Sequence, residues 1–506
     1  MRSPTSSELQ QICIRNKLHG YGLVSYYEPE SSTYAQEHED IQASLLSICA
    51  PDIWPKGSYR MACPRPILVN KHHQQLLTNL HRALDIAITD IVERWWTDKK
   101  AKLPERMPLH KKEEELLQWI EGQTLRGNLP HYSQHQGSWR PDFLIEENKT
   151  RRDGGVLETF QIAEINARFS FNGFMHDAYG QQALEDMGLG AHGLISATDV
   201  EKLLDRLFSL FDPNVPLYLL KGEEQGIDIH MFMDVVRRRL GVTPRLVNPS
   251  DLRLISDTQS KSGYRLCCLA KEHGDTRNPP KSPTFLLYGR EVVEEINQIG
   301  LELHQHELLA LQPEMLRQVS LRCFNDMRTI LLVHDKRMLA IVKQELKSLV
   351  SREVLTPTQA HVLDEGIVDT ILPGSQEANQ LLQISRHSPK LKDGYIIKPV
   401  RSGKGAGIIF GEDLSPDEWV STLARLQSPE LVSETTCVVQ HRIIPRLYDL
   451  VLNTSGERLR YPLVGTYHAI GGEFLGLGIW RSSSDRICAI SRGGSWMCSV
   501  IPREAI

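Results

Sequence analysis

Ile162-Ala163-Glu164-Ile165-Asn166-Ala167-Arg168-Phe169-Ser170 is the stretch on which the fold turns. Polar residues alternate there with apolar ones, so the segment is expected to be extended. In a strand, residues i and i+2 project to the same face, which puts Glu164, Asn166 and Arg168 on one side. A carboxylate and a carboxamide aimed at one point, beside a cation able to hold phosphate, form the hard oxygen set that suits Mg²⁺ carrying a nucleotide. A half-buried strand with a polar edge would show the same alternation, so the reading needs a second feature.

Residues 395–411 supply it: Tyr-Ile-Ile-Lys-Pro-Val-Arg-Ser-Gly-Lys-Gly-Ala-Gly-Ile-Ile-Phe-Gly. An apolar strand ends at Lys398-Pro399, a glycine-rich turn follows, and apolar sequence resumes at Ile408. Ser402, Gly403, Gly405 and Gly407 let backbone N–H groups approach a phosphate with no Cβ in the way. Lys398, at the strand end, offers a point charge for the α- or β-phosphate. Gly403-Lys404 is followed by Gly405 rather than Ser or Thr, and no helix clearly begins, so this is not a Walker A loop.

Together these segments resemble the ATP-grasp ligases: the first their Glu-x-Asn-x-Arg metal strand, the second their lid hairpin. The order is informative. Most ATP-grasp enzymes have the lid first, whereas here the metal strand precedes the lid lysine by 398 − 164 = 234 residues. That order resembles the circularly permuted branch containing glutathionylspermidine synthetase-like amide ligases. Arg140-Pro141-Asp142 is similar to that branch's Arg-x-Asp, His334-Asp335-Lys336-Arg337-Met338-Leu339 to its Asn-Lys-x-x-Leu helix, and residues 464–480 to its C-terminal glycine-rich hairpin. The five ordered matches cover roughly residues 135–495.

The resemblance implies an α/β (α+β) fold: a circularly permuted ATP-grasp core with an α/β domain before the ATP site and an N-terminal helical segment. It further implies that Asp142, Glu164 and Asn166 hold two Mg²⁺ ions across the phosphates of ATP. Arg140 would stabilise the transferring phosphoryl group, and Lys336 and Lys398 would grip the nucleotide. Gln440 would meet the adenine amine, unless backbone groups do so. Arg168 would contact phosphate or a substrate carboxylate, or form a structural ion pair. The branch has Gly-Arg-Glu-Gly in its lid where this chain has Ser402-Gly403-Lys404-Gly405, so the lid arginine's role would pass to Lys404 or Arg401. Trp480 stands where the branch often has Arg, with Arg481 one residue away. The implied activity is amide formation between a carboxylate and an amine through an acyl phosphate. A non-catalytic nucleotide-binding protein and a phosphotransferase are the alternative readings.

Composition sets broader limits. A chain of 506 residues suggests about three domains or subdomains. With 41% hydrophobic and 24% charged residues it is ordinary for a globular protein, and a net charge of −5 provides no basic field for nucleic acid. No apolar run reaches the length of a membrane span, and residues 1–17 lack a secretory core. Nine scattered cysteines, with no Cys-x-x-Cys, fit reduced thiols, and a cytoplasmic location is expected. The expected partners are a small-molecule carboxylate and an amine, without nucleic acid or membrane. A homodimer is an admissible assembly.

Four segments are expected: 1–134, a lead-in and helical region; 135–214, the metal-binding strands; 215–325, the α/β domain; and 326–506, the lid and nucleotide region. Residues 1–60 read as irregular, 73–96 and 111–122 as helices, and 151–155 as a turn between the strands bearing Asp142 and Glu164. Leu217–Leu220 reads as a strand, 227–240 as a helix and 291–311 as a long helix, in a largely parallel layer. The run 271–283 reads as a surface loop, 327–350 as helical and Cys437–Gln440 as a strand.

Overall fold

The computed structural model describes residues 8–14, 20–24, 31–150, 156–270, 285–432, 436–452 and 455–503. The expected turn at 151–155 and the loop at 271–283 lie outside them.

At the centre is an antiparallel sheet ordered Ser495–Met497, Trp480–Ser482, Val464–Ile470, Ser138–Thr150, Val156–Asn166, with Glu473–Leu477 also paired to Val464–Ile470. Strand alternation gives it two unlike faces. One is aromatic: Phe143 meets Phe160 and Trp480 edge-on, with ring centroids 5.3 and 5.5 Å apart. The helix Lys71–Glu93 covers this face, its His81 ring edge-on to Trp139 and Tyr467. Its buried residues Leu77, Leu80, Leu84, Ala87, Ile88 and Ile91 recur at helical spacing, and Asn70 caps it by accepting from His73 N. The other face carries the polar residues read from the sequence. Register places Asp142 opposite Glu164 and Arg140 opposite Asn166.

The lid sheet runs Thr370–Ile371, Cys437–His441, Tyr395–Pro399, Ile409–Phe410. Beside the core, Ile299–Glu302, Tyr218–Lys221 and Arg245–Val247 form a parallel sheet, with the helix Ile229–Leu240 between the last two strands in sequence. A four-stranded antiparallel sheet, Phe285–Tyr288, Glu291–Glu295, Tyr264–Leu269, Leu252–Ser256, joins it, so this region is only in part a parallel layer.

Two sequence expectations are corrected. Residues 291–311 are not one long helix but the strands Glu291–Glu295 and Ile299–Glu302 followed by the short helix Gln305–Ala310. The β-branched Val292, Val293 and Ile299 fit a pleated sheet, and a Cβ on Gly300 would lie 2.8 Å from Leu219 and 2.9 Å from Phe324. Nor is 1–60 irregular throughout. It contains the helix Ser31–Ile48, and Gln10–Cys13 joins a sheet ordered Gly22–Leu23, Gln10–Cys13, Ile67–Leu68, Ser499–Pro502, Leu194–Ser196. The hydrogen-bonding partners of these short strands come from distant parts of the chain, including its last strand, which local pattern cannot reveal. All nine cysteines are free thiols, and among the described residues no helix is long and apolar enough to cross a membrane.

Candidate active site

The polar face of the central sheet and the lid enclose a cavity of about 710 Å³. Arg140, Asp142, Glu164, Asn166 and Arg168 line it from the sheet. Lys336 and Lys398 enter from the helix start and the lid strand, and Ser402, Gly403, Lys404 and Gly405 from the glycine loop; Gln440 lies on the strand paired with Lys398's. Gly407 lies outside the lining: a Cβ there would sit 2.7 Å from the Pro399 ring, so its glycine serves the loop's own packing.

Cross-strand pairing concentrates charge at the sheet. Asp142 lies between two guanidinium groups, Arg140 Nε at 3.1 Å and Arg481 Nη2 at 2.6 Å. Glu164 Oε2 is 3.2 Å from Lys336 Nζ, which also donates to Ser402 O at 2.6 Å. Burial alone would raise the Glu164 carboxyl, but the ammonium groups of Lys336 and Lys398 outweigh it and hold the group at about 2. Lys398 is pushed down to about 8, chiefly by burial and against the pull of Glu164. The cavity lining carries nine Lys and Arg side chains against the four carboxylates Asp142, Glu164, Glu224 and Asp485, an excess suited to a polyanion.

Three donors are unfinished. Asn166 Nδ2, Arg168 Nε and Arg481 Nε are buried with no hydrogen-bond partner among the described residues. Such donors are costly to leave unmade, and phosphate oxygens would satisfy them. The donor set therefore fits a nucleotide triphosphate. The oxygens of Asp142, Glu164 and Asn166 fit the hard cation that accompanies one.

Three side chains have partners within the protein. Gln440 Nε2 donates to Thr370 Oγ1 at 3.0 Å and to Ala163 O at 3.3 Å, which fixes the amide plane and leaves its Oε1 as the group that could accept from a base amine. Arg401 is a buried tie rather than a lid cation. It reaches Asp335 Oδ2 at 2.9 Å and Glu113 Oε1 at 2.5 Å, and its carbonyl accepts from Arg168 Nη2 at 2.5 Å. Lys404, by contrast, is half exposed at the loop tip and bonds Glu224 Oε1 at 2.6 Å. Of the two candidates for the lid cation, Arg401 is held in the interior and Lys404 stands half exposed at the loop tip.

Other lining residues had no sequence signal. Glu224 and His304, 3.3 Å apart, come from loops after parallel strands. Lys56, Ser58 and Met61 come from the N-terminal region, and His176 from the helix Phe174–Asp186. Only the Lys56-Gly57 turn could have hinted at them.

Metal-strand hairpin, lysine-bearing lid and cationic cavity together define an ATP-grasp protein. The comparisons agree. The glutathione synthetase-like effector GSS30 of Globodera pallida, solved in its apo form, superposes with a TM-score of 0.51 at 10% identity, over 93% of this chain and 98% of that one. The ATP-grasp enzyme ankG of Aspergillus thermomutatus is 35% identical over 491 residues, 94% of this chain and 97% of that protein. Residues 80–332 match the family described as the AnkG N-terminal domain. The chain belongs to the AnkG family of ATP-grasp enzymes.

Proposed function

We propose that the protein is an ATP-dependent carboxylate–amine ligase of the circularly permuted ATP-grasp branch, forming an amide through an acyl phosphate. The observation that carries this reading is the register of the metal-strand hairpin, Asp142 opposite Glu164 and Arg140 opposite Asn166, beneath Lys336 and Lys398. These residues gather charge at one end of the cavity, as transfer of a terminal phosphoryl group requires.

In the proposed reaction a carboxylate oxygen of the substrate attacks the γ-phosphorus of ATP and ADP leaves. An amine then attacks the acyl carbon, loses its proton, and expels phosphate. Lys398 and Lys336 bind the phosphates, and Asn166 and Arg168 complete their own hydrogen bonds on phosphate oxygens. Arg140 neutralises charge on the transferring group, and Lys404, released from Glu224, closes over the nucleotide. Asp142, Glu164 and Asn166 would hold Mg²⁺, which supplies charge neutralisation of the β- and γ-phosphates. The substrates are a small carboxylic acid and an amine.

The test is an ¹⁸O-labelled carboxylate drawn from a panel of carboxylic acids and amines screened for ADP release. Label is expected in inorganic phosphate. Label in AMP, or stoichiometric pyrophosphate, would overturn the mechanism.

A further inference from the structure

Trp54-Pro55-Lys56-Gly57-Ser58 turns sharply, because Lys56 (φ 52°) and Gly57 (φ 66°) are successive left-handed residues. Ser58 emerges fixed at both ends of its short side. Its carbonyl accepts from Trp496 Nε1 at 2.8 Å, and its hydroxyl lies 2.8 Å from His176 Nε2. Both residues are buried yet line the cavity. The His176 ring stands edge-on to Trp54 and Trp496, and its Nδ1 has no partner among the described residues.

That missing partner decides the direction of the Ser58–His176 bond. If Nδ1 carried the proton, a buried N–H would be left without an acceptor, which folded proteins rarely tolerate. With the proton on Nε2, the imidazole donates to Ser58 Oγ and only a lone pair stays unmatched. His176 is held neutral, pushed down to about 4 by burial and by the charge of Arg140. A neutral, Nε2-protonated imidazole cannot take the Ser58 proton. Ser58 is therefore not a nucleophile of the serine-hydrolase kind. Its own hydrogen is free to point into the cavity.

Arg140, on the strand Ser138–Thr150, reaches the start of the helix that carries His176. Its Nη1 donates to Asn172 O at 3.1 Å and its Nε to Asp142, while no described residue engages Nη2. A Cβ on Gly173, three residues before His176, would be 3.3 Å from Arg140 Nη1. A neutral hydroxyl donor and an uncommitted guanidinium N–H thus open onto the same cavity.

We propose that Ser58 and Arg140 form the subsite for the carboxylate of the acyl substrate, with Ser58 donating to the oxygen that stays on the acyl carbon. His176 is a positioning residue: by donating to Ser58 Oγ it turns the serine hydrogen towards the substrate. The inference rests on the ligase reading above and adds to it where the carboxylate sits.

The test uses the full chain with ATP and Mg²⁺, hydroxylamine as nucleophile, and acetate, succinate, citrate and L-glutamate as carboxylate probes. Wild-type ADP release with any probe tests the ligase reading by itself; with none, both that reading and the subsite fall. Against an active wild type, Ser58→Ala should lower kcat/KM for the carboxylate about 10- to 100-fold, the effect of losing one hydrogen bond to a charged group, and leave the ATP KM unchanged. His176→Gln, whose amide can still donate to Ser58, should keep most activity, whereas His176→Phe should resemble Ser58→Ala. ¹⁵N spectra of the histidine-labelled protein should show His176 as the neutral Nε2–H form at pH 7. Wild-type kcat/KM in Ser58→Ala, the Nδ1–H form, or covalent labelling of Ser58 by diisopropyl fluorophosphate would overturn the subsite and leave the ligase reading standing.

Discussion

Replacing Lys398 by Met should stabilise this protein while disabling it. Lys398 is almost wholly buried, and its ammonium is pushed from the ordinary 10.5 to about 8, chiefly because burial disfavours the charge. A fall of that size corresponds to about 3 kcal/mol of folding free energy spent on keeping the group charged at neutral pH. Met keeps the bulk of the side chain and removes that cost. Part of the gain is offset, since Glu164 loses one of its two ammonium partners while Lys336 remains. A net stabilisation of about 1–2 kcal/mol follows, or roughly 1–2 °C in melting temperature for a chain of this length. The folded-state value of Lys398 lies below its unfolded one, so its cost is fully present below pH 8 and is relieved as pH rises towards 10.5. The difference between variant and wild type should therefore shrink over pH 8–10.5. Calorimetry should meanwhile show ATP–Mg²⁺ affinity reduced about 100-fold or more, the loss of a desolvated charge from a phosphate. Thermal melts of the ligand-free proteins at pH 7 and 10, paired with that titration, check both halves. A Lys398→Met protein that melts below wild type at pH 7 and binds ATP normally would refute the reasoning.

Glu164→Gln should fold and lose ATP turnover by about 10³-fold, or about 4 kcal/mol of transition-state stabilisation. Glu164 is held below its ordinary 4.5, so its contribution to stability is present above that pH and is lost as pH falls towards 2; acid titrations of the variant should lack this component. Arg401→Met leaves the buried carboxylates of Asp335 and Glu113 short of a partner and should cost about 3 kcal/mol of stability in denaturant melts. Lys404→Met, at a half-exposed position, should leave the melt nearly unchanged and slow turnover instead. Equal melting losses in the two would remove the distinction between tie and lid cation.

By itself the sequence determined the elements whose evidence is local. Alternation around Glu164 and Asn166 announced a strand with a polar face, and the glycines after Lys398 announced a hairpin. Helical spacing from Leu77 to Ile91 announced the helix that covers the aromatic face. Period and backbone freedom are written residue by residue, so these features needed no knowledge of the rest of the chain. Only the tertiary structure decided what depends on partners far away. Gln11 and Ile12 became strand residues because Ile67 and Leu23 lie beside them, and Ile67 in turn lies beside Ser499. Arg401 and Lys404, three residues apart in one loop, took different tasks because Asp335 and Glu113 capture the first in the interior and Glu224 meets the second at the rim. Ser58 and His176, 118 residues apart, met at the cavity wall. Whether a side chain's charge or proton is spent within the protein or held out to a ligand depends on which groups the fold delivers to it, and that delivery is a property of the packed chain.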